Sequence, residues 1–561
     1  MVFSDILSRD DLALFLGVKK SHLTYVLYKK KVDSYYTSFE IPKKTEGTRQ
    51  INAPTGMLKS IQVRLATALC NHQNSLRIER KTKTNISHAF EKKKSIITNA
   101  QIHRNKLLIL NLDLENFFES FHFGRVAGYF EKNRDFDLPH DVAIIIAQLT
   151  CYKGHLPQGA PTSPIITNLL CQILDMRILR IAKRYKLDYT RYADDMTFST
   201  NNRAFLEQKE SFLHELENEI VHAGFAINQN KTRLALRDSR QTVTGLIVNQ
   251  KLNVPAEYYK KTRAMAHQLY TEGRFYIDGK EGSIAQLEGR FSFIDQLSRY
   301  NNKRDTGNHS CHSLSSREKQ YRAFLFYKYF YANEKPLIVT EGKTDIRYIR
   351  AALKKMWDRY PELVIKKANG EFEFKVAFLH RTKKLEYFLK IAPDGANTLN
   401  NIYNYYSDKY RDFPNYYSFF SKMRKHPSQH PIVLLFDNEV VTGKRPLYEF
   451  LKHIQANDNQ RQILSSDLHL RLISESNLYL WTNPLVDGMK ECEIEFLFRQ
   501  ETRDHQMGGK SLNLKDNFDI SKYYGKDIFS QYISQNYIQV DFDGFIPLLD
   551  TLVQIIKSHQ S

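Results

Sequence analysis

Apolar residues recur along the chain at two spacings, and the change from one to the other divides it. Between 8 and 30, Leu12, Leu16, Val18, Leu23 and Leu27 fall at helical intervals, and Ser8 followed by Asp10 and Asp11 is a helix start whose acids suit its positive end. Gly17 interrupts the pattern, so two short helices packed as a hairpin are expected; a helix-turn-helix would share the spacing. From about 40 to 250, apolar segments of strand length alternate with longer helical patterns. Residues 299–320, "RYNNKRDTGNHSCHSLSSREKQ", are polar and nearly free of large aliphatics, which marks a boundary. Beyond it, Leu337-Ile338-Val339 and Ile432-Val433-Leu434-Leu435-Phe436 are continuous apolar runs, the pattern of strands buried on both faces of a parallel sheet. There is no internal repeat. The expected organisation is a helical region at 1–39, a mixed region at 40–240, a thinner one at 241–320 and an α/β region at 321–561.

Composition adds a partner. A chain of 561 residues is too long for one ordinary core, and its 42% hydrophobic content supports globular folding. Lys and Arg outnumber Asp and Glu by 82 to 62, a net +20. Clusters such as Lys29-Lys30-Lys31 and Lys92-Lys93-Lys94 point to a polyanion. The five cysteines are scattered and form no C-x-x-C pair, which suits a reducing cytoplasm. His309, Cys311 and His312 crowd together but lack a second cysteine, so no zinc site is expected. The apolar run Leu12–Val18 is too short for a signal peptide or a membrane span.

Carboxylates at strand ends carry the chemistry. In "ILNLDLENFF" (109–118), Asp113 closes an apolar strand, and "YTRYADDMTFS" (189–199) sets Asp194-Asp195 between two β-prone segments. Three such acids suit nucleotidyl transfer, in which two Mg²⁺ ions about 4 Å apart activate a hydroxyl and neutralise a triphosphate. Strand alternation would send Asp194 and Asp195 to opposite faces, so a tight hairpin is required. "LPQGAPTSPIITNLL" (156–170) then joins a Pro and Gly loop to an apolar helix.

In this order, and with "TRQINAP" (48–54), "SHAFEKKKSI" (87–96) and "GFAINQNKT" (224–232), the first half resembles reverse transcriptases. The resemblance implies an α+β right-hand polymerase of fingers, palm and thumb, with 40–240 as fingers and palm and 241–320 as thumb and linker. It implies Asp113, Asp194 and Asp195 as Mg²⁺ ligands and Arg49 as the grip on the incoming triphosphate. It also implies Gln158 behind the nucleotide, Phe118 or its neighbour Phe117 against C2′ of the sugar, and Lys231 as proton donor to pyrophosphate. Ala89 departs from the glycine that many relatives carry after the histidine. Asn99-Ala100-Gln101-Ile102-His103 fits the N-A-x-x-H signature, and Val243-Thr244-Gly245 the V-T-G signature, of bacterial retron reverse transcriptases. Retron enzymes recognise a structured noncoding RNA, prime from an internal 2′-hydroxyl and make a branched RNA–DNA hybrid. The implied partners are that RNA, its product and deoxynucleotides. RNA contact is expected at Asn99, His103, Val243, Thr244 and Gly245, and on a basic helix containing Tyr258, Tyr259, Lys260, Lys261 and Arg263. An intron-type or untemplated polymerase is the alternative within this class, and self-association is left open.

"LIVTEGKTD" (337–345) ends in Gly-Lys-Thr but has Leu337 where a P-loop needs glycine. Its acids instead pair with "PIVLLFDNEVV" (431–441), giving two strand ends that bear carboxylates at the edge of a parallel sheet. This resembles the Toprim domain of topoisomerases, primases and overcoming-lysogenization-defect-type nucleases, an α/β Rossmann-like fold. The resemblance implies Glu341 as general acid or base, Asp437 and Glu439 as Mg²⁺ ligands, and a nucleic-acid target; glutamate at 439 replaces the family's aspartate. Lys343 and Asp345 would orient the turn, or Asp345 would serve as a helix N-terminal charge. Glu493 and Glu495 in "ECEIEFLF" are expected on a half-exposed edge. The aromatic and basic stretch 401–425 suits single-stranded nucleic acid, although core packing explains the same letters. Retrons with attached effectors act in antiphage defence, which the fusion implies here; a metal-free binding module is the competing reading of the second half.

Overall fold

The computed structural model describes residues 2–43, 47–81, 85–305, 314–393, 395, 397–423, 428–486, 488–515 and 517–560. His309, Cys311, His312, Arg424 and Lys425 lie outside the described residues. The chain forms two compact units, Met1–Ala256 and Glu257–Ser561, so the stretch expected as thumb and linker contributes to both.

In the first unit, α1 (Arg9–Phe15) starts on Ser8, whose hydroxyl accepts from the Asp11 amide at 3.2 Å. α2 (Lys20–Thr24) follows and continues as a π turn through Lys29. Gly17 between them has φ +62°, and a methyl there would stand 2.9 Å from Arg64 Nη1. Leu12, Leu16, Leu23 and Leu27 are buried in the unit's main core. β1 (Tyr36–Pro42) and β2 (Thr48–Pro54) form an antiparallel ribbon, followed by α3 (Gly56–Glu79) and α4 (Ile96–Ile102).

A four-stranded antiparallel sheet organises the rest, in the order β4 (Asp188–Tyr192), β5 (Asp195–Thr200), β3 (Leu108–Asp113), β6 (Arg233–Leu236). Its face bearing Leu110, Leu112, Tyr189, Met196 and Phe198 joins the core that also takes α5 (Phe123–Lys132), α6 (His140–Thr150), α7 (Ser163–Arg184) and α8 (Phe205–His222). The opposite face is polar apart from the buried Ile109. There Asn111 accepts from Thr197 Oγ1 at 3.0 Å and donates to the Thr242 carbonyl at 3.0 Å. α4 and the hairpin of β7 (Thr242–Val243) and β8 (Leu246–Ile247) pack on this side.

The second unit begins one residue into α9 (Ala256–Glu272) and continues with a short β9–β10 hairpin (Tyr276–Ile277, Lys280–Glu281), α10 (Ile284–Asp305) and α11 (Ser316–Phe326). Its main sheet contains β11 (Leu337–Thr340), β14 (Ala377–Phe378), β15 (Ile432–Phe436), β16 (His469–Arg471) and β17 (Leu478–Thr482) in the order β14-β11-β15-β17-β16. The first four in that order are parallel, and β16 runs antiparallel at the edge. Every residue of β11, β15 and β17 is buried, as continuous apolar runs demand of a sheet covered on both faces. α12 (Lys343–Lys355) follows β11, β12 (Val364–Lys366) pairs with β13 (Phe372–Phe374), and α13 (Lys383–Leu389), α14 (Asn397–Asn404) and α15 (Tyr416–Met423) precede β15. In the aromatic stretch, Tyr403, Tyr405, Tyr406, Tyr416 and Phe420 are core residues, so packing accounts for most of those letters. No described helix is long and apolar enough to cross a membrane.

Candidate active sites

β4 and β5 are joined by only Ala193 and Asp194, with Tyr192 paired to Asp195. Ala193 has φ +59°, the sign that the first loop position of a type II′ hairpin requires. The turn, rather than strand alternation, therefore directs Asp194, and its carbonyl accepts from the Leu114 amide at 3.1 Å. Asp113 ends β3 opposite Asp195 in register. Lys231 Nζ donates to Asp113 Oδ1 at 2.9 Å, and this bond holds the ammonium above its ordinary range.

Burial, then the Asp194 and Asp113 charges, pushes Asp195 up to about 7. Asp194 is raised by burial and Asp113, against the pull of Lys231 and Arg49. Solvent reaches Asp195, so its shift reflects surrounding protein and like charges rather than full enclosure. Among the described residues no three His, Cys, Asp or Glu side chains are arranged to enclose a metal ion. Magnesium asks for less, binding through one or two carboxylates, waters and substrate phosphates. Asp113 and Asp195, facing each other across the strand pair with Asp194 beside them, fit that demand.

Arg49 lies exposed on β2, near enough to draw Asp194 down. The Gln158 carbonyl accepts from the Asn52 amide of β2 at 2.7 Å, and Gln158 itself is half-buried. Next to it Gly159 has φ +113°, and an added methyl would meet Ile51 Cγ2 at 2.8 Å and the Asn52 carbonyl at 2.9 Å. The loop is thus sealed onto the ribbon. Phe117 is buried against Phe121 and Phe225, while Phe118 is half-buried; of the two, Phe118 keeps an open face.

The two short signatures meet in space. His103 is fully buried, with Nδ1 2.7 Å from Ser199 Oγ and Nε2 2.7 Å from Thr190 Oγ1, and burial pushes it down to about 3. It pins α4 to the polar face of the sheet as a neutral ring. Asn99 and Val243 are also buried. Thr244 and Gly245 form the β7–β8 turn with φ +46° and +81°, and Thr244 Oγ1 lies 3.5 Å from the Ile96 carbonyl of α4. Of the five, only Thr244 and Gly245 reach solvent.

One feature was not anticipated from sequence. Arg191, on β4 two residues before the turn, is fully buried and bidentate to Asp175 of α7, with both bonds at 2.8 Å. Its Nη1 donates to the Ala193 carbonyl at 3.1 Å. The only sequence signal was a charge in a strand otherwise bound for the core.

In the second unit, Glu341 follows β11 and Asp437 follows β15, and these strands are parallel neighbours. Gly342 turns the chain into α12, where the buried Asp345 carboxylate accepts from the Gly342 amide at 2.9 Å. Asp345 thus caps its own helix. Lys343 lies 3.8 Å from Asp527. Arg381 holds the Thr340 carbonyl. Burial, with Asp345 and Glu439, pushes Glu341 up to about 7, and its Oε2 has no hydrogen-bond partner. Asp437 is raised well above the carboxylate range by burial and by Asp345, Glu495 and Glu341; its Oδ1 accepts from Asn483 Nδ2 at 2.7 Å and the Ile494 amide at 2.8 Å.

Glu439 is buried and paired with Arg445 at 3.1 Å. Glu495 corrects an expectation. It is 1% exposed in a 3₁₀ turn rather than on a half-exposed edge, because Lys526 reaches in to Glu493 at 3.1 Å and to Glu495 at 3.3 Å. Lys526 lies 31 residues further along the chain, where no pattern linked it to the acids. The donor set suits a hard cation, and Glu341 is its least committed member.

Residues 41–262 match the family model described as "Reverse transcriptase (RNA-dependent DNA polymerase)". The chain is similar to the retron Mx162 reverse transcriptase of Myxococcus xanthus, 33% identical over 51% of this chain and 63% of that one. It is similar to the retron Ec86 reverse transcriptase of Escherichia coli, 34% identical over 47% of this chain and 76% of that one. The retron Mx65 reverse transcriptase of Myxococcus xanthus is 31% identical over 52% of this chain and 68% of its own.

Proposed function

The chain belongs to the bacterial retron reverse transcriptases, and from that membership we propose that its first unit copies RNA into DNA. The observation that carries this is the tight hairpin that sets Asp195 opposite Asp113, inside the matched region. Asp113, Asp194 and Asp195 are the residues to hold Mg²⁺, which when bound supplies a Lewis acid for the primer hydroxyl and the triphosphate. Lys231, kept cationic by Asp113, has a proton to give the departing pyrophosphate. Arg49 grips the triphosphate with its forked guanidinium, the Gln158 loop backs the nucleotide, and the open face of Phe118 excludes a ribose 2′-hydroxyl. The template is a structured noncoding RNA, the primer an internal 2′-hydroxyl, and the product a branched RNA–DNA; the net charge of +20 suits this load.

The second unit is read as a Toprim-like phosphodiesterase that acts as an effector in antiphage defence in the cytoplasm, restrained by the RNA–DNA product. Acids at the carboxyl ends of two adjacent parallel strands support this, as does an unpartnered Glu341 oxygen on a group near neutrality. Glu341 would exchange the proton, with Asp437 and Glu439 as the residues to hold Mg²⁺.

Purifying the chain from its host and sequencing the bound nucleic acid tests the first reading. Covalently branched RNA–DNA is expected, and in the Asp194→Ala/Asp195→Ala chain the RNA alone. Linear RNA only on the unaltered chain, or DNA surviving the double substitution, overturns it. Glu341→Gln should abolish DNA or RNA cleavage and cellular toxicity while DNA synthesis continues. Unchanged cleavage would instead favour a binding module.

A further inference from the structure

The aromatic and basic stretch before β15 is left almost without a role, because the core absorbs most of its rings. One ring is not absorbed. Phe419 is 49% exposed, while its neighbours on α15, Tyr416 and Phe420, are buried. It lines a groove of about 380 Å³ with α9, whose exposed residues Lys260, Arg263 and His267 stand three and four apart and so form one stripe. Tyr270 lies at the same groove, 5% exposed, with a hydroxyl that has no hydrogen-bond partner. No carboxylate is among the groove's described lining residues.

We propose that this groove binds single-stranded nucleic acid, with one base stacked on Phe419 and the adjoining phosphates along Lys260, Arg263 and His267. Three observations lead there. The charged side chains that line the groove are cations, with no acid among its described lining residues, which suits an anionic occupant. Its apolar lining is the exposed ring of Phe419 with Ala264 and Met423 beside it, and a flat base covers such a ring by stacking on it. The unpartnered Tyr270 hydroxyl offers a donor and acceptor of the kind that a base edge or sugar hydroxyl takes up. A duplex keeps its bases stacked on one another and cannot present one to Phe419. The site lies wholly within the second unit, uses none of the carboxylates above and does not depend on the polymerase reading.

The test uses the full chain stripped of bound nucleic acid by nuclease and high salt. Ten-residue oligo(dT) and oligo(U), each carrying one 5-iodopyrimidine, are cross-linked and the adduct is mapped by mass spectrometry. The expected adduct is on the peptide containing Phe419. Base stacking of about 1–3 kcal/mol corresponds to a loss of roughly 5- to 150-fold in single-strand affinity for Phe419→Ala. Phe419→Tyr should retain binding, and both variants should keep the parent's melting temperature. Lys260→Gln with Arg263→Gln should flatten the slope of log affinity against log salt by about 1.4. Loss with both oligonucleotides establishes the shared chemistry, and loss with one alone identifies RNA or DNA as the occupant. The Asp194→Ala/Asp195→Ala chain should bind at this groove as the parent does. Adducts confined to other peptides, parent-like affinity in Phe419→Ala, or equal competition by an oligoglutamate peptide would overturn the proposal.

Discussion

Arg191 and Asp175 offer the sharpest test of how the first unit holds the turn that carries Asp194, proposed above as a metal ligand. The guanidinium is 0% exposed and the carboxylate 7%, joined by two bonds of 2.8 Å. Replacing Arg191 with Met leaves a buried carboxylate whose remaining hydrogen-bond donor among the described residues is the Tyr189 hydroxyl, at 3.0 Å. Replacing Asp175 with Leu strands a buried guanidinium. Removing one partner of such a pair costs about 3–5 kcal/mol, whereas replacing both with apolar groups of similar volume is often neutral or stabilising. Arg191→Met and Asp175→Leu alone should therefore each lower the first unit's unfolding midpoint by roughly 6–20 °C, and the double variant should recover most of that loss.

Activity should not recover with it, because Arg191 also holds the Ala193 carbonyl at 3.1 Å, in a turn whose first residue has positive φ. Misplacing reacting groups by an ångström costs on the order of 100-fold, so DNA synthesis per folded molecule should stay down by about that factor in the double variant. The assay is a double-mutant cycle with denaturant unfolding on one axis and single-nucleotide extension on the other. A double variant as active as the parent would refute the clamp. Single variants as stable as the parent would refute the buried-pair argument.

Two further outcomes follow from the acids. Asp195 titrates near 7 in the fold against about 3.9 unfolded, so the folded state binds the extra proton and its stability contribution is lost as pH rises from about 4 through 7. Asp195→Asn should therefore abolish DNA synthesis yet raise the melting temperature at pH 8 and leave it nearly unchanged at pH 4; a lower midpoint at pH 8 would contradict this. Lys526→Met leaves Glu495, 1% exposed, without its cation, a loss of about 3–5 kcal/mol at pH 8. Because Glu495 titrates near 7, chemical denaturation should show a smaller loss at pH 5, and an equal loss at both would count against the pairing.

Much of this was legible in the letters. Buried parallel strands at 337–340 and 432–436, a capped helix after Ser8, and acids closing β3 and β15 follow from period, capping and strand-end position, which are properties of a few neighbouring residues. The hairpin between β4 and β5 was also required, since two adjacent aspartates could not otherwise serve one site.

What stayed hidden depends on partners far along the chain. Phe117 is buried and Phe118 half-buried because Phe225 packs against the ring of Phe117. His103 meets Thr190 and Ser199 across the sheet, and Glu495 is buried because Lys526 reaches it. Arg191 enters a core because Asp175 waits on another helix. Local sterics and burial period settle, from neighbouring residues alone, which segments become strands and helices and which of them end in carboxylates. Which charges are paired, which rings stay open and which motifs touch follow from the packed fold, because the cost of burying a polar group depends on what stands opposite it.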